Sequence, residues 1–159
     1  MSTHINFIPI NIAIVTISDT RILDNDKSGD VLEDRVLKSN HKIISRDIVK
    51  DNFEEIYELF SNLINNEKID VIISTGGTGL TGRDITPEVM KKLFEKTIDG
   101  FGEMFRWLSY SKIGTSSLQS RALAGVSNGT YIFCLPGSPS ACRDGWDQIL
   151  IHQLDIRHK

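Results

Sequence analysis

The chain has 159 residues, 40% hydrophobic and 25% charged, with a formal net charge of -3. That length suits one domain with one sizeable core. The charge excludes an overall basic field of the kind that gathers nucleic acid or anionic lipid.

Met1 to Pro9 lacks a positive start followed by an apolar run, so no signal peptide is expected there. No stretch approaches about 18 apolar residues, so no membrane span is expected and the default location is the cytoplasm. Ile10 to Ile17 is apolar and β-branched and reads as a buried, parallel strand. A polar loop follows, and Ser28 is placed to cap a helix running to Asn40, with Val31, Leu32 and Val36 inward. His41 to Val49 reads as a second strand. Phe53, Ile56, Tyr57, Phe60, Leu63 and Ile64 recur at helical spacing. Asp51 before them and Glu54 three positions on suggest a capping box.

Ile69 to Ser74 is a third strand, followed by the glycine-rich run Ser74-Thr75-Gly76-Gly77-Thr78-Gly79. Thr86 reads as the cap of a helix with Pro87 in its first turn and Met90, Leu93 and Phe94 inward. Phe101 to Tyr110 reads as a helix with Phe101, Met104, Phe105 and Leu108 on one side. Thr115 to Ala124 reads as a short helix stopped by Gly125. Thr130 to Leu135 is a fourth strand, and Pro136 to Pro139 turns into a last helix through Trp146, Ile149, Leu150 and Leu154. Alternating strands and helices predict an α/β fold with a mostly parallel sheet covered on both faces.

In such a sheet ligands bind beyond the carboxyl ends of the strands. Ser18-Asp19, Val49-Lys50-Asp51, Ser74 to Asp84 and Pro136-Gly137-Ser138 all follow strands and converge on one edge. Glycines there expose backbone N–H groups, and Thr75 and Thr78 add hydroxyls, which makes a cradle for phosphate oxygens. The bland alternative is a tight strand-to-helix turn without a ligand. Gly77-x-Gly79-x-x-Gly82 matches a dinucleotide fingerprint literally, but it follows the third strand and its helix waits until Pro87. A nicotinamide oxidoreductase is therefore disfavoured. Gly77 to Gly82 also has P-loop spacing, but Arg83-Asp84 replaces the Lys-Ser/Thr that P-loop chemistry needs.

Asp51 and Asp84 beside a phosphate loop suit Mg2+, which takes carboxylate oxygens together with substrate phosphates. Each also has a plain role, as helix cap and turn residue. Asp19 and Asp24 are weaker candidates. The four histidines read as surface residues. Cys134 and Cys142 lack zinc-site spacing, and Cys134 reads as a buried small hydrophobe. Arg106 and Ser120-Arg121 are candidate donors to an anion. Trp107 and Tyr110 fit either a subunit contact or core packing.

Together, Thr75-Gly76-Gly77-Thr78-Gly79, Arg83-Asp84-Ile85-Thr86-Pro87, Gly100-Phe101-Gly102-Glu103, Ser120-Arg121-Ala122, Leu135 to Pro139, Ser18-Asp19 and Ser28-Gly29 resemble the MoaB/MogA molybdopterin adenylyltransferase family of molybdenum cofactor biosynthesis. Ile113 to Arg121 resembles the MoaB branch. The resemblance implies one three-layer α/β/α sandwich over residues 1–159, assembled as a homotrimer or a dimer of trimers. It implies Mg-ATP-dependent transfer of AMP to molybdopterin with release of pyrophosphate. Asp51 and Asp84 match the family's catalytic, metal-holding aspartates. Ser18, Asp19, Ser28, Thr75, Gly76, Gly77, Thr78, Gly79, Thr86, Ser120, Arg121, Pro136, Gly137 and Ser138 are the matching candidates for binding ATP and molybdopterin. The alternative is a non-catalytic molybdopterin carrier or regulator. The fold, mechanism and oligomer named here are expectations of the resemblance.

Overall fold

The computed structural model describes residues 4–158; Met1 to Thr3, the start of the segment without a signal-peptide pattern, and Lys159 lie outside the described residues. Six strands form one sheet in the order β2-β1-β3-β6-β5-β4. These are β1 (Asn11–Ile17), β2 (Lys42–Val49), β3 (Val71–Thr75), β4 (Lys96–Thr97), β5 (Leu123–Ser127) and β6 (Thr130–Leu135). The first four neighbours in that order run parallel. Strand β5 is antiparallel to β6, and β4 is antiparallel to β5.

Alternation along β1 divides the core. Ile12 and Ile14 face one side, with Leu32, Val36, Phe101, Phe105 and Trp146. Ala13, Val15 and Ile17 face the other, with Ile56, Phe60, Val89 and Met90. Helices α1 (Lys27–Lys38), α4 (Asp99–Ile113) and α5 (Pro139–Gly145) therefore cover one face. Helices α2 (Phe53–Ile64) and α3 (Thr86–Leu93) cover the other, which completes the α/β/α sandwich. After α5 the chain widens into a π-helical turn, Trp146–Leu150, that keeps Trp146 wholly buried. No helix among the described residues is long and apolar enough to cross a membrane.

Several local assignments differ from the sequence reading. Leu123 and Ala124 are not helical: a 3-10 segment, Gly114–Gln119, ends before them and β5 begins. Asn128 and Gly129, both at positive φ, join β5 to β6 as a two-residue hairpin with Ser127 opposite Thr130. Asp26, rather than Ser28, caps α1 through the Gly29 N–H. Asn52, rather than Asp51, caps α2 through the Glu55 N–H. Thr86 is already the first residue of α3. Tyr57 and Met104 stand exposed on their helices. His41 is buried, and Nδ1 accepts the Ile10 N–H at 3.2 Å.

Strands β1 and β2 lie on one side of the crossover and β3 and β6 on the other, so the order reverses between β1 and β3. The carboxyl ends of β1, β3 and β6 open a crevice at that switch point.

Candidate functional site

The crevice holds a cleft of about 460 Å³ lined by the ends of β1, β3 and β6, the glycine loop and the start of α1. Its floor is drawn together at Gly76. This residue has φ 105°, and a Cβ there would lie 2.1 Å from Ile17 O. Only glycine lets β3 turn this close to β1. The Gly76 N–H donates to Leu135 O at 3.0 Å, and Thr75 Oγ1 donates to Pro136 O at 2.8 Å. Thr86 closes the neck from α3: Oγ1 donates to Gly76 O at 2.9 Å and the backbone N–H to Gly77 O at 3.0 Å. Gly76 therefore has no free N–H for a ligand. The amides of Gly77, Thr78 and Gly79 have no backbone acceptor among the described residues.

Two carboxylates rise over this loop. A Cβ on Gly77 would stand 3.1 Å from Asp51 Oδ1, and a Cβ on Gly79 would stand 2.7 Å from Asp84 Oδ2. Each glycine thus leaves room for one carboxylate. Because Asn52 caps α2, Asp51 is released from that role; its Oδ1 is buried without a hydrogen-bond partner. Burial pushes the Asp51 carboxyl above the usual aspartate range, with further upward pressure from the charges of Asp19 and Asp84, against a downward pull from Arg83. Asp84 Oδ2 accepts from both the amide and the hydroxyl of Thr81, at 2.9 and 2.6 Å.

An uncompensated buried carboxylate oxygen beside a second carboxylate suits a hard cation. Among the described residues no group of three or more His, Cys, Asp or Glu is placed to hold a metal. Asp51 and Asp84 are two carboxylates the cleft could offer such an ion, which would take its remaining oxygens from outside the protein.

Of the predicted site residues, Ser18, Ser28, Asp51, Thr75, Gly76, Gly77, Thr78, Gly79, Asp84, Ser120, Pro136 and Gly137 line the cleft. Asp19, Thr86, Arg121 and Ser138 do not. Asp19 Oδ1 accepts the Asp51 N–H and Oδ2 accepts Arg83 Nε at 2.9 Å. Ser138 caps α5 through the Ala141 N–H. Ser28 donates its hydroxyl to Gly137 O at 2.9 Å, tying α1 to the β6 turn. Arg106 is turned to Ser120 O and Ala122 O rather than to a ligand. Trp107 is 74% exposed and Tyr110 59%, so neither belongs to the core.

Sequence reasoning missed Asp26, Arg21, Thr16 and Gln119, which also line the cleft. Asp26, not the weaker candidate Asp24, is the buried acid of this loop. It accepts from Thr16 Oγ1 at 2.7 Å, the Gly29 N–H and Arg46 Nη2. Its cap position three residues before Gly29 was the available signal. Arg21 is the one basic side chain lining the cleft among the described residues. Both cysteines are buried; burial pushes the Cys134 thiol up to about 12 and that of Cys142 up to about 11, so neither is a nucleophile at neutral pH.

The sequence pattern of a family described as a probable molybdopterin binding domain matches residues 13–156. Over 151 residues the chain is 47% identical to molybdenum cofactor biosynthesis protein B of Escherichia coli strain K12, covering 95% of this chain and 89% of that one. Over 141 residues it is 40% identical to a protein of Methanocaldococcus jannaschii named probable molybdopterin adenylyltransferase, covering 84% and 83%. Its fold superimposes on a crystal structure of molybdenum cofactor biosynthesis protein B with a TM-score of 0.89 at 40% identity, covering 92% and 91% of the two chains. The tungsten cofactor synthesizing protein MoaB of Pyrococcus furiosus gives a TM-score of 0.80 at 34% identity, covering 89% and 91%.

Proposed function

The chain belongs to the molybdopterin-binding domain family and is a molybdenum cofactor biosynthesis protein, and on that premise we propose that it transfers AMP from Mg-ATP to the terminal phosphate of molybdopterin. A molybdopterin phosphate oxygen attacks the α-phosphorus of ATP. The new P–O bond forms as the bond to the β-phosphate bridge breaks, and pyrophosphate leaves with that electron pair. No covalent intermediate with the protein is needed.

Repulsion between two anions is the obstacle to this attack, so positioning and electrostatics carry the rate. The observation that supports the reading is the buried, unpartnered Asp51 Oδ1 held beside Asp84 over a loop of open amides. Asp51 and Asp84 are the residues that would hold Mg2+, which supplies neutralisation of phosphate charge. The Gly77, Thr78 and Gly79 amides donate to non-bridging oxygens, and Arg21 and Ser120 face the same cleft. ATP as co-substrate places the reaction in the cytoplasm. The solvent face of α4, with Met104, Trp107 and Tyr110 exposed, offers a surface for self-association, and the working form proposed is a homotrimer or a dimer of trimers.

The test is incubation with molybdopterin and Mg-ATP, with separation of adenylylated pterin and assay of pyrophosphate. Stoichiometric appearance of both is expected. Tight molybdopterin binding with no product from either would replace the enzyme with a carrier.

A further inference from the structure

One side chain meets both limbs of the glycine loop beyond its neck. Arg121 Nε donates to Gly79 O at 2.8 Å, and Nη2 donates to Asp84 O at 2.8 Å. Nη1 pairs with the Glu88 carboxylate in the first turn of α3. The Arg121 backbone N–H donates to Thr78 O at 3.0 Å. The guanidinium is therefore turned to the loop and is absent from the cleft lining.

We propose that Arg121 is a positioning residue: its guanidinium sets the span from Gly79 to Asp84 and so fixes where the Asp84 carboxylate enters the cleft. This rests on the adenylyl-transfer reading, in which Asp84 faces the phosphates. The loop has little else to hold that span. Thr86 ties only the neck, at Gly76 and Gly77. Thr81 and Asp84 bond to each other and close the tip, and the exposed Arg83 side chain ties it to Asp19, but neither contact holds the Gly79 and Asp84 carbonyls that Arg121 takes. Leu80 is 66% exposed and lies outside both core clusters. Gly79 has no side chain, and a Cβ there would meet Asp84 Oδ2. A planar fork reaches two carbonyls along one edge, whereas a lysine ammonium is a single point on a flexible stem.

Three measurements on Arg121→Ala, Arg121→Lys and the wild type test this. Amide hydrogen exchange in both variants is expected to rise in residues 78–86 and to stay unchanged in β1, β3 and β6. Turnover is expected to fall by about 100-fold, the scale of a misplaced reacting group, while molybdopterin affinity stays within about threefold. Guanidinium ion at millimolar concentration is expected to restore part of the turnover of Arg121→Ala and none of that of Arg121→Lys. Unchanged exchange in the loop overturns the proposal, as does a loss of molybdopterin affinity with normal exchange, which would make Arg121 a ligand contact. The exchange arm needs no substrate, so failure of the adenylyl-transfer reading shows as an inactive wild type with the exchange result still decisive. Arg121→Lys keeps charge and length and serves if Arg121→Ala does not fold.

Discussion

Asp19 Oδ1 accepts the backbone N–H of Asp51 at 3.1 Å, so one carboxylate residue seats another at the edge of the cleft. Asp19 is itself held by Arg83, whose hydrogen bond keeps its carboxyl below the usual range despite some desolvation. Asp51 bears the opposite strain. Burial, then the charges of Asp19 and Asp84, push its carboxyl up. The folded state thus holds the Asp51 proton more tightly than the unfolded chain does. Stability falls as pH rises from the ordinary aspartate value through the raised one, and the deficit is complete above it. Asp51→Asn is therefore expected to raise Tm at neutral pH, with the gain vanishing below the ordinary aspartate pKa. Adenylylation by that variant is expected to fall by about 100-fold or more, because an amide replaces the charged oxygen. Asp84→Asn shares the activity loss and keeps molybdopterin binding. Thermal melts across pH, paired with the adenylylation assay, check both; wild-type rates in either variant would remove the carboxylates from the mechanism.

Two loop glycines five positions apart make opposite predictions. Gly77 has φ 70°, and a Cβ there would lie 2.2 Å from Thr86 Oγ1 and 3.1 Å from Asp51 Oδ1. Gly77→Ala is expected to cost about 1–3 kcal/mol from the strained backbone and to displace the neck hydrogen bond of Thr86. Gly82 has nothing within 4 Å of an added Cβ and no positive φ. Gly82→Ala is expected to stay within about 0.5 kcal/mol of the wild type. Urea unfolding of the two variants side by side measures the contrast.

The elements legible in the sequence were those whose apolar content matches their burial. Ile12 to Val15 and Val71 to Ile73 are β-branched or small and lie buried in the sheet centre, so β1 and β3 were readable, as was β6. Strand β5 was missed because Leu123-Ala124-Gly125-Val126-Ser127 has small residues where a strand usually has bulk. The reason lies elsewhere in the chain: a Cβ on Gly125 would be 2.4 Å from the Phe94 ring, so β5 gives up a side chain to seat Phe94. The Asn128-Gly129 pair was a readable hairpin signal that the helical reading of Thr115 to Ala124 overrode. At the site, the strand-end rule placed Asp51 and Asp84 at the right edge. It could not show that Asn52 takes over the cap, nor that Arg121 reaches back to Gly79, 42 positions away.

Met104, Trp107 and Tyr110 place an exposed apolar row on α4, with Trp107 74% exposed. A surface indole so open is a poor solvent-facing residue and a good anchor for a subunit contact. Trp107→Glu is expected to weaken self-association by about 2 kcal/mol or more, while the fold of each subunit is retained. Light scattering and sedimentation of both proteins across a concentration series read any shift towards monomer; an equal mass in the two would remove α4 from the proposed subunit contact.

His41 ties the amino-terminal segment to the last helix. Its ring lies 5.1 Å from that of Phe7 and 6.2 Å from that of Trp146, and Nδ1 accepts the Ile10 N–H. An acceptor nitrogen must be unprotonated, and burial lowers the His41 pKa, with the Asp155 charge opposing. The unfolded chain therefore takes up the proton first. Stability is full above the ordinary histidine value, about 6.5, and is lost as pH falls through that value towards the lower folded one. In His41→Asn the amide oxygen can still accept from Ile10, and the titrating group is gone. The variant is expected to be less stable at pH 7, where it lacks the ring contacts, and to lose less stability than the wild type between pH 7 and pH 5. Denaturant unfolding at the two pH values gives both numbers, and an equal loss in the two proteins would assign the acid sensitivity to another group.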